Sequence, residues 1–198
     1  MQKIVLASSN SGKLKEFNQV LQGLDYEVVP QSRFDVPDAD ETGLSFVENA
    51  ILKARHASRI SGLPALADDS GLEVDLLDGA PGIFSARFSG EGATDEKNNN
   101  KLISMLSSFP ESQRTARFQC LLVFMRHAED PTPLICQGTW EGRILLEPRG
   151  ENGFGYDPLF YIPALDCCSA ELESEQKNRL SHRGQAVVQL VERLAERR

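Results

Sequence analysis

The 198-residue chain contains no apolar run approaching the ~18 residues that a bilayer-spanning helix requires. Its first residues offer one lysine and then only the apolar stretch "IVLA", too short for a secretory signal. Cysteine is scarce: Cys120, Cys136, Cys167 and Cys168 form no C-x-x-C, and the last two are adjacent, a poor geometry for pairing. That excludes a zinc framework and a disulfide scaffold, and implies reduced thiols in a cytoplasmic protein. Positive charge is in deficit. There are 21 Lys and Arg against 29 Asp and Glu, a net charge of −8. A general nucleic-acid binder needs a cationic face, so neither a stable nucleic-acid partner nor a membrane is expected. A single small anion is still compatible with an acidic body, because a few lysines can gather locally. Internal repeats and low-complexity segments are also missing.

What is present is enough apolar sequence, 40% of residues, to build a core for one large domain or two small lobes. Residues 3–8 read as a buried strand. Residues 12–22 read as an amphipathic helix with Leu14, Phe17, Val20 and Leu21 inward. "YEVVP" is a second strand, and "RFDVPDADETG" a polar loop. "SFVENAILKARHASRISG" is a helix that Ser45 caps, with Glu48 three residues later and Gly62 at its end. "PALADDSGLEVDLL" reads as two short strands around an acidic turn, and "GAPGIFSARFSG" as a glycine-rich loop. Residues 94–107 are helical. "ARFQCLLVFMRHA" and "LICQGTWEGRILLEP" read as a long antiparallel pair, and "GFGYDPLFYIP" as a loop entering a strand. The last 25 residues are helical. The expectation is a mixed α/β fold with a long sheet.

Four polar stations carry the chemistry. The first is "SSNSGK": Ser8, Ser9, Asn10, Ser11, Gly12 and Lys13. Strand, tight turn, lysine and helix favour an anion through hydroxyls, backbone N–H groups and the helix N-terminus. It is not a Walker loop. Ala7 stands where the first glycine would be, and Leu14 where a hydroxyl would take magnesium. The bland alternative is a capped strand–helix turn. The second station is "ADDSG", with Asp68, Asp69 and Ser70. Adjacent carboxylates repel and push one pKa upward unless a cation intervenes. Mg²⁺ takes carboxylate oxygens together with substrate phosphates, whereas the alternative is an exposed Asp-Ser turn. The third is Asn152 to Pro158, where glycines around Phe154 and Tyr156 admit a ligand to the backbone and a ring offers a stacking face. The fourth is "QKNRLSHRGQA", where Lys177 can hold phosphate and His182 and Arg183 can donate to a carbonyl. A solvated basic face is its default explanation, and the same holds for Lys53.

As a set, and in this order, the segments "SSNSGK", "ETGLSFVENAILKA", "ADDSGLEVD", "GAPGIFSARFSG", "GFGYDPLF" and "KNRLSHRGQA" resemble the inosine/xanthosine triphosphate pyrophosphatases, close to their bacterial branch. These enzymes clear non-canonical purine nucleotides. The resemblance covers nearly the whole chain. It implies a single two-lobed domain over residues 1–198, a long mixed sheet flanked by helices and an active site in the cleft. It also implies a homodimer, Mg²⁺, and hydrolysis of ITP, dITP or XTP to the monophosphate and pyrophosphate. By position, residues 8–13 would hold the triphosphate, with Asn10 and Lys13 central and Lys53 and Lys177 adding positive charge. Glu41, Asp68 and Asp69 would be the metal ligands, Asp69 the proton acceptor and Ser70 a substrate contact. Phe154, Gly155, Tyr156 and Asp157 would form the base-side loop, with His182 and Arg183 facing the base. The chain departs from the pattern at Ser9, where many relatives have glycine, and at "ALDCCSAEL", where a Lys-Thr pair is usual. The related Maf-like pyrophosphatases fit less well, since "SHRG" speaks against them. A non-catalytic nucleotide sensor is disfavoured by the intact acids.

Overall fold

The structure, a computed structural model, describes residues 1–197; the Ser11 side chain and Arg198 lie outside the described residues. Strand β1 (Gln2–Leu6) pairs in parallel with β2 (Tyr26–Pro30), Val5 opposite Val29. It also pairs in parallel with β3 (Ala65–Val74), Leu6 opposite Leu66. Parallel neighbours need crossovers, and helices supply them. Helix α1 (Ser11–Leu21) joins β1 to β2 and turns Phe17 and Leu21 inward, with Leu14 and Val20 packed at the edge of the core. Helix α2 (Phe46–Ser61) precedes β3. Ser45 caps it by accepting from the Glu48 N–H, and Glu48 in turn accepts from the Ser45 hydroxyl at 2.7 Å and the Leu44 N–H at 3.0 Å. The helix stops at Gly62, which takes the left-handed conformation (φ 70°).

After α3 (Asp95–Leu106) come the long strands β4 (Thr115–Met125) and β5 (Leu134–Ile144). The short β6 (Phe160–Ile162) and β7 (Cys167–Cys168) follow as antiparallel neighbours, β6 on β5 and β7 on β6. The seven strands form one mixed sheet in the order β2-β1-β3-β4-β5-β6-β7. The sequence "CC" is thus a strand at the end of that order, and all four cysteines are free. The terminal helical stretch is two helices, α4 (Ser174–Leu180) and α5 (His182–Glu196). Ser181, with an extended backbone (φ −67°, ψ 161°), interrupts them. No described helix is long and apolar enough to cross a membrane.

The chain forms two compact units. One holds residues 1–69, 120–137 and those from 186 onward, around Ile4, Leu6, Phe17, Leu66, Leu122 and Leu190. The other holds residues 70–119 and 138–185, around Leu72, Leu102, Phe118, Trp140, Phe160 and Leu172.

Two sequence expectations are corrected. "ALADDSGLEV" is one uninterrupted ten-residue strand, not two runs around a turn, and both aspartates are buried within it. Successive side chains of a strand leave opposite faces. Asp68 and Asp69 accordingly meet different cations, and that relieves the repulsion that made a turn look necessary. In the segment read as a glycine-rich loop, Gly82–Arg87 is a 3-10 helix.

Candidate functional site

The turn after β1 is built on Asn10. Its Oδ1 accepts from the N–H groups of Gly12 (2.8 Å) and Lys13 (3.1 Å) and so caps α1, while the Asn10 N–H donates to the Ser8 Oγ. Two of the backbone donors expected to face an anion are therefore turned onto the turn's own asparagine. Lys13 carries the charge instead. Its Nζ lies 3.1 Å from Asp68 Oδ1, and that carboxylate is fully buried. Ser9 and Gly12 are exposed, and Ser8 is partly so.

Lys53, expected by default on a solvated face, projects inward from α2. Its Nζ donates to Glu41 Oε1 at 3.0 Å, to Asp69 Oδ1 at 2.5 Å and to the Asp68 carbonyl at 3.0 Å. The helix phase explains this, since Asn49, Ala50, Ala54 and Ala57 line the buried face beside it. Burial works against the ammonium, but the charges of Asp69 and Glu41 outweigh it and hold the Lys53 pKa above the ordinary lysine value. Burial raises the Asp69 pKa. Lys53 opposes the rise, while Glu41 and Asp68 add repulsion to it.

Glu41 is brought there by the polar loop that precedes α2. The Gly43 N–H donates to Asn49 Oδ1 at 2.8 Å. A Cβ at Gly43 would sit 2.6 Å from the Glu48 Cβ and 2.8 Å from that same oxygen, so only glycine lets the loop lie this close to α2. Asn49 is fully buried, on a helix face it shares with Phe46, Ala50, Ala54, Ala57 and Ser58.

In the second unit, the segment from 153 to 157 is held at nearly every residue. Asp157 is buried; its Oδ2 accepts from the Phe154 N–H (2.8 Å) and from the Lys177 ammonium, and its Oδ1 from the Ser169 hydroxyl (2.8 Å). Gly153 has φ 81°, and a Cβ there would run into the Asp157 carboxylate. The Gly155 N–H donates to Asp95, the Gly155 carbonyl accepts from Asn99, and the Tyr156 hydroxyl donates to the Ser85 carbonyl. Burial, then the Asp95 charge, holds the Tyr156 phenol protonated well above its usual range. Phe154 is left 64% exposed, with Lys177 Nζ 5.3 Å from its ring centroid. His182 is buried and stacks on Phe118, centroids 4.8 Å apart and planes 18° from parallel. Arg183 beside it is partly exposed. Phe118, Asp95 and Asn99 were not foreseen. They come from segments read only as strand and helix.

The structure thus gathers Lys13, Glu41, Lys53, Asp68 and Asp69 in the first unit. In the second it gathers residues 154–157 with Lys177, and His182 on Phe118; Ser70 continues β3 directly after Asp69. Lys177, expected as a free phosphate-binding charge, is engaged by Asp157. As to metal, the oxygens of Glu41 and Asp69 already converge on one cationic atom. Among the described residues no three His, Cys, Asp or Glu side chains are grouped as ligands. The convergence of Glu41 and Asp69 fits Mg²⁺, a hard ion that takes one or two carboxylates and fills its shell with phosphate oxygens and water.

The protein is similar over its whole length to enzymes named dITP/XTP pyrophosphatase. The one from Vibrio cholerae is 57% identical over 198 residues, covering 100% of this chain and 99% of that protein. The one from Escherichia coli O157:H7 is 56% identical over 194 residues, covering 98% of each. The solved structure of a HAM1 protein from Coxiella burnetii superposes with a TM-score of 0.96 at 52% identity, covering 99% of this chain and 100% of that one. The sequence model of the Ham1 family matches residues 4–193. With its mixed seven-stranded sheet and full-length similarity to these proteins, the chain belongs to the Ham1 family.

Proposed function

We infer that the protein hydrolyses non-canonical purine nucleoside triphosphates, ITP, dITP and XTP, to the monophosphate and pyrophosphate, and so keeps them out of DNA and RNA. Similarity to pyrophosphatases across the full chain supports this. The observation that carries the mechanism is the cluster of Lys13, Lys53, Glu41, Asp68 and Asp69. Triphosphate cleavage needs charge neutralisation and positioning more than covalent help. In the proposed roles, Lys13, Lys53 and the hydroxyls of Ser8 and Ser9 hold phosphate oxygens. Asp69, placed beside Lys53 and Glu41, is the carboxylate that accepts the proton of a water attacking the α-phosphorus. Glu41 and Asp69, whose oxygens converge on Lys53, are the residues that would hold Mg²⁺, which would supply charge stabilisation to the leaving pyrophosphate, while Asp68, on the other face of β3, is paired with Lys13. Lys53, which shares Glu41 and Asp69, would be available to phosphate with that ion in place.

On the base side, hypoxanthine and xanthine offer a 6-oxo acceptor where adenine has a 6-amino donor. Donors from His182 and Arg183 pair with the former and are left unpaired by the latter, at about 1–3 kcal/mol each, whereas the N–H groups of Phe154, Gly155 and Asp157 are already given to Asp157, Asp95 and Phe154. The exposed Phe154 ring is the stacking face. A homodimer in the cytoplasm completes the proposal. The test is a panel of ITP, dITP, XTP, ATP and GTP with Mg²⁺, with pyrophosphate and orthophosphate resolved. Pyrophosphate from the first three and little turnover of ATP is the expected result. Tight ITP binding without turnover would make the protein a sensor instead.

A further inference from the structure

Gly155 is gripped through both sides of its peptide unit by one helix. Its N–H donates to Asp95 Oδ2 at 2.7 Å, and its carbonyl accepts from Asn99 Nδ2 at 2.9 Å. Asp95 and Asn99 stand four residues apart at the start of α3, on one face. The next residue on α3's buried side, Asn98, donates to the Ser85 and Ala86 carbonyls and accepts from the Ser89 N–H. Ser85 is also where the Tyr156 hydroxyl donates. Asn99 commits its amide to Gly155 at a cost, because its Oδ1 is buried with no hydrogen-bond partner. Turning the amide over would set that oxygen against the Gly155 carbonyl, so the orientation is fixed by the glycine alone.

We propose that Asp95 and Asn99 are positioning residues that hold the 153–157 segment in its base-binding shape, so that affinity for the purine is set from α3. This rests on the reading of that segment as the base side. Phe154 has its N–H held by the Asp157 carboxylate and its carbonyl by the Asp157 N–H at 3.3 Å, beside the anchored Gly155, and its ring is exposed. Without the clamp the segment spends part of its time in other conformations, and apparent affinity falls by the fraction that remains competent. The phosphate-side residues are untouched, so turnover of bound substrate is preserved.

The test is steady-state kinetics on ITP for Asp95→Ala, Asn99→Ala, Asp95→Asn and Phe154→Ala. Loss of either anchor raises KM about tenfold with kcat nearly unchanged, while Asp95→Asn, whose amide oxygen still accepts from Gly155, keeps the wild-type KM. Should an alanine variant not fold, Asn99→Asp keeps the shape, loses the donor and gives the same rise. If Phe154→Ala raises KM but the Asp95 and Asn99 variants do not, the clamp is overturned and the base-side reading stands. If Phe154→Ala also leaves KM unchanged, the base-side reading falls and the clamp's role with it. A fall in kcat alone, or an Asp95→Asn defect as large as that of Asp95→Ala, assigns the two residues to fold maintenance and overturns the proposal.

Discussion

At Asp69 a single carboxylate joins three influences: burial, the Lys53 ammonium, and two neighbouring acids. The adjacency of Asp68 and Asp69 was legible as an electrostatic problem, and the need for a cation followed from it. That the cations present are lysines from two different helices was not legible, because sequence spacing does not report which face a strand residue leaves by. Asp69→Asn is expected to lower kcat on ITP by about 10²–10⁴, the usual worth of a positioned base, with the melting transition retained. Near-normal kcat would remove Asp69 from the chemistry. Glu41, sharing Lys53 with Asp69, is expected to act on the metal requirement. Glu41→Gln should raise the Mg²⁺ concentration for half-maximal rate, whereas Leu14→Ser should not alter it, since Leu14 lies on α1 outside the acid cluster. A Mg²⁺ titration unchanged by Glu41→Gln but shifted by substitution of Ser8 would place the ion at the first turn instead.

Among the elements, the ends of α2 were read well because their chemistry is local: the Ser45–Glu48 box and Gly62 each sit within a few residues of what they satisfy. Strand β3 was misread because two aspartates are poor strand formers and only long-range pairing with lysines makes them tolerable. The turn between β4 and β5 settles its buried acid locally instead. Buried Asp130 accepts from the Arg126 N–H and guanidinium and from the Thr132 N–H, at 2.6–3.0 Å. Those bonds, the Arg126 side chain's first, hold the Asp130 pKa well below the usual carboxylate range. A folded pKa below the unfolded one stabilises the protein at pH values above the unfolded pKa, and that contribution is lost as pH falls toward the folded pKa. Asp130→Asn should therefore cost about 1–3 kcal/mol at pH 7, and the gap from wild type should shrink below about pH 4. Denaturant unfolding at pH 7 and pH 3 measures both. An equal gap at the two pH values would show that the charge of Asp130 plays no part.

For the molecule as a whole, composition and charge excluded partners more than they chose one, and the order of six motifs along the chain carried the family. The two compact units, each with its own core, divide the proposed labour. Lysines and acids lie in the first, and the aromatic segment with His182 in the second. The net charge of −8 makes the local cations decisive, since nothing else in the chain would draw a triphosphate. The central claim is that water attacks the α-phosphorus while the pyrophosphate leaves intact. Hydrolysis of ITP in ¹⁸O-labelled water, followed by mass analysis of both products, tests it most directly. The account predicts one labelled oxygen in the inosine monophosphate and none in the pyrophosphate. Label in the pyrophosphate, or release of labelled orthophosphate, would contradict it.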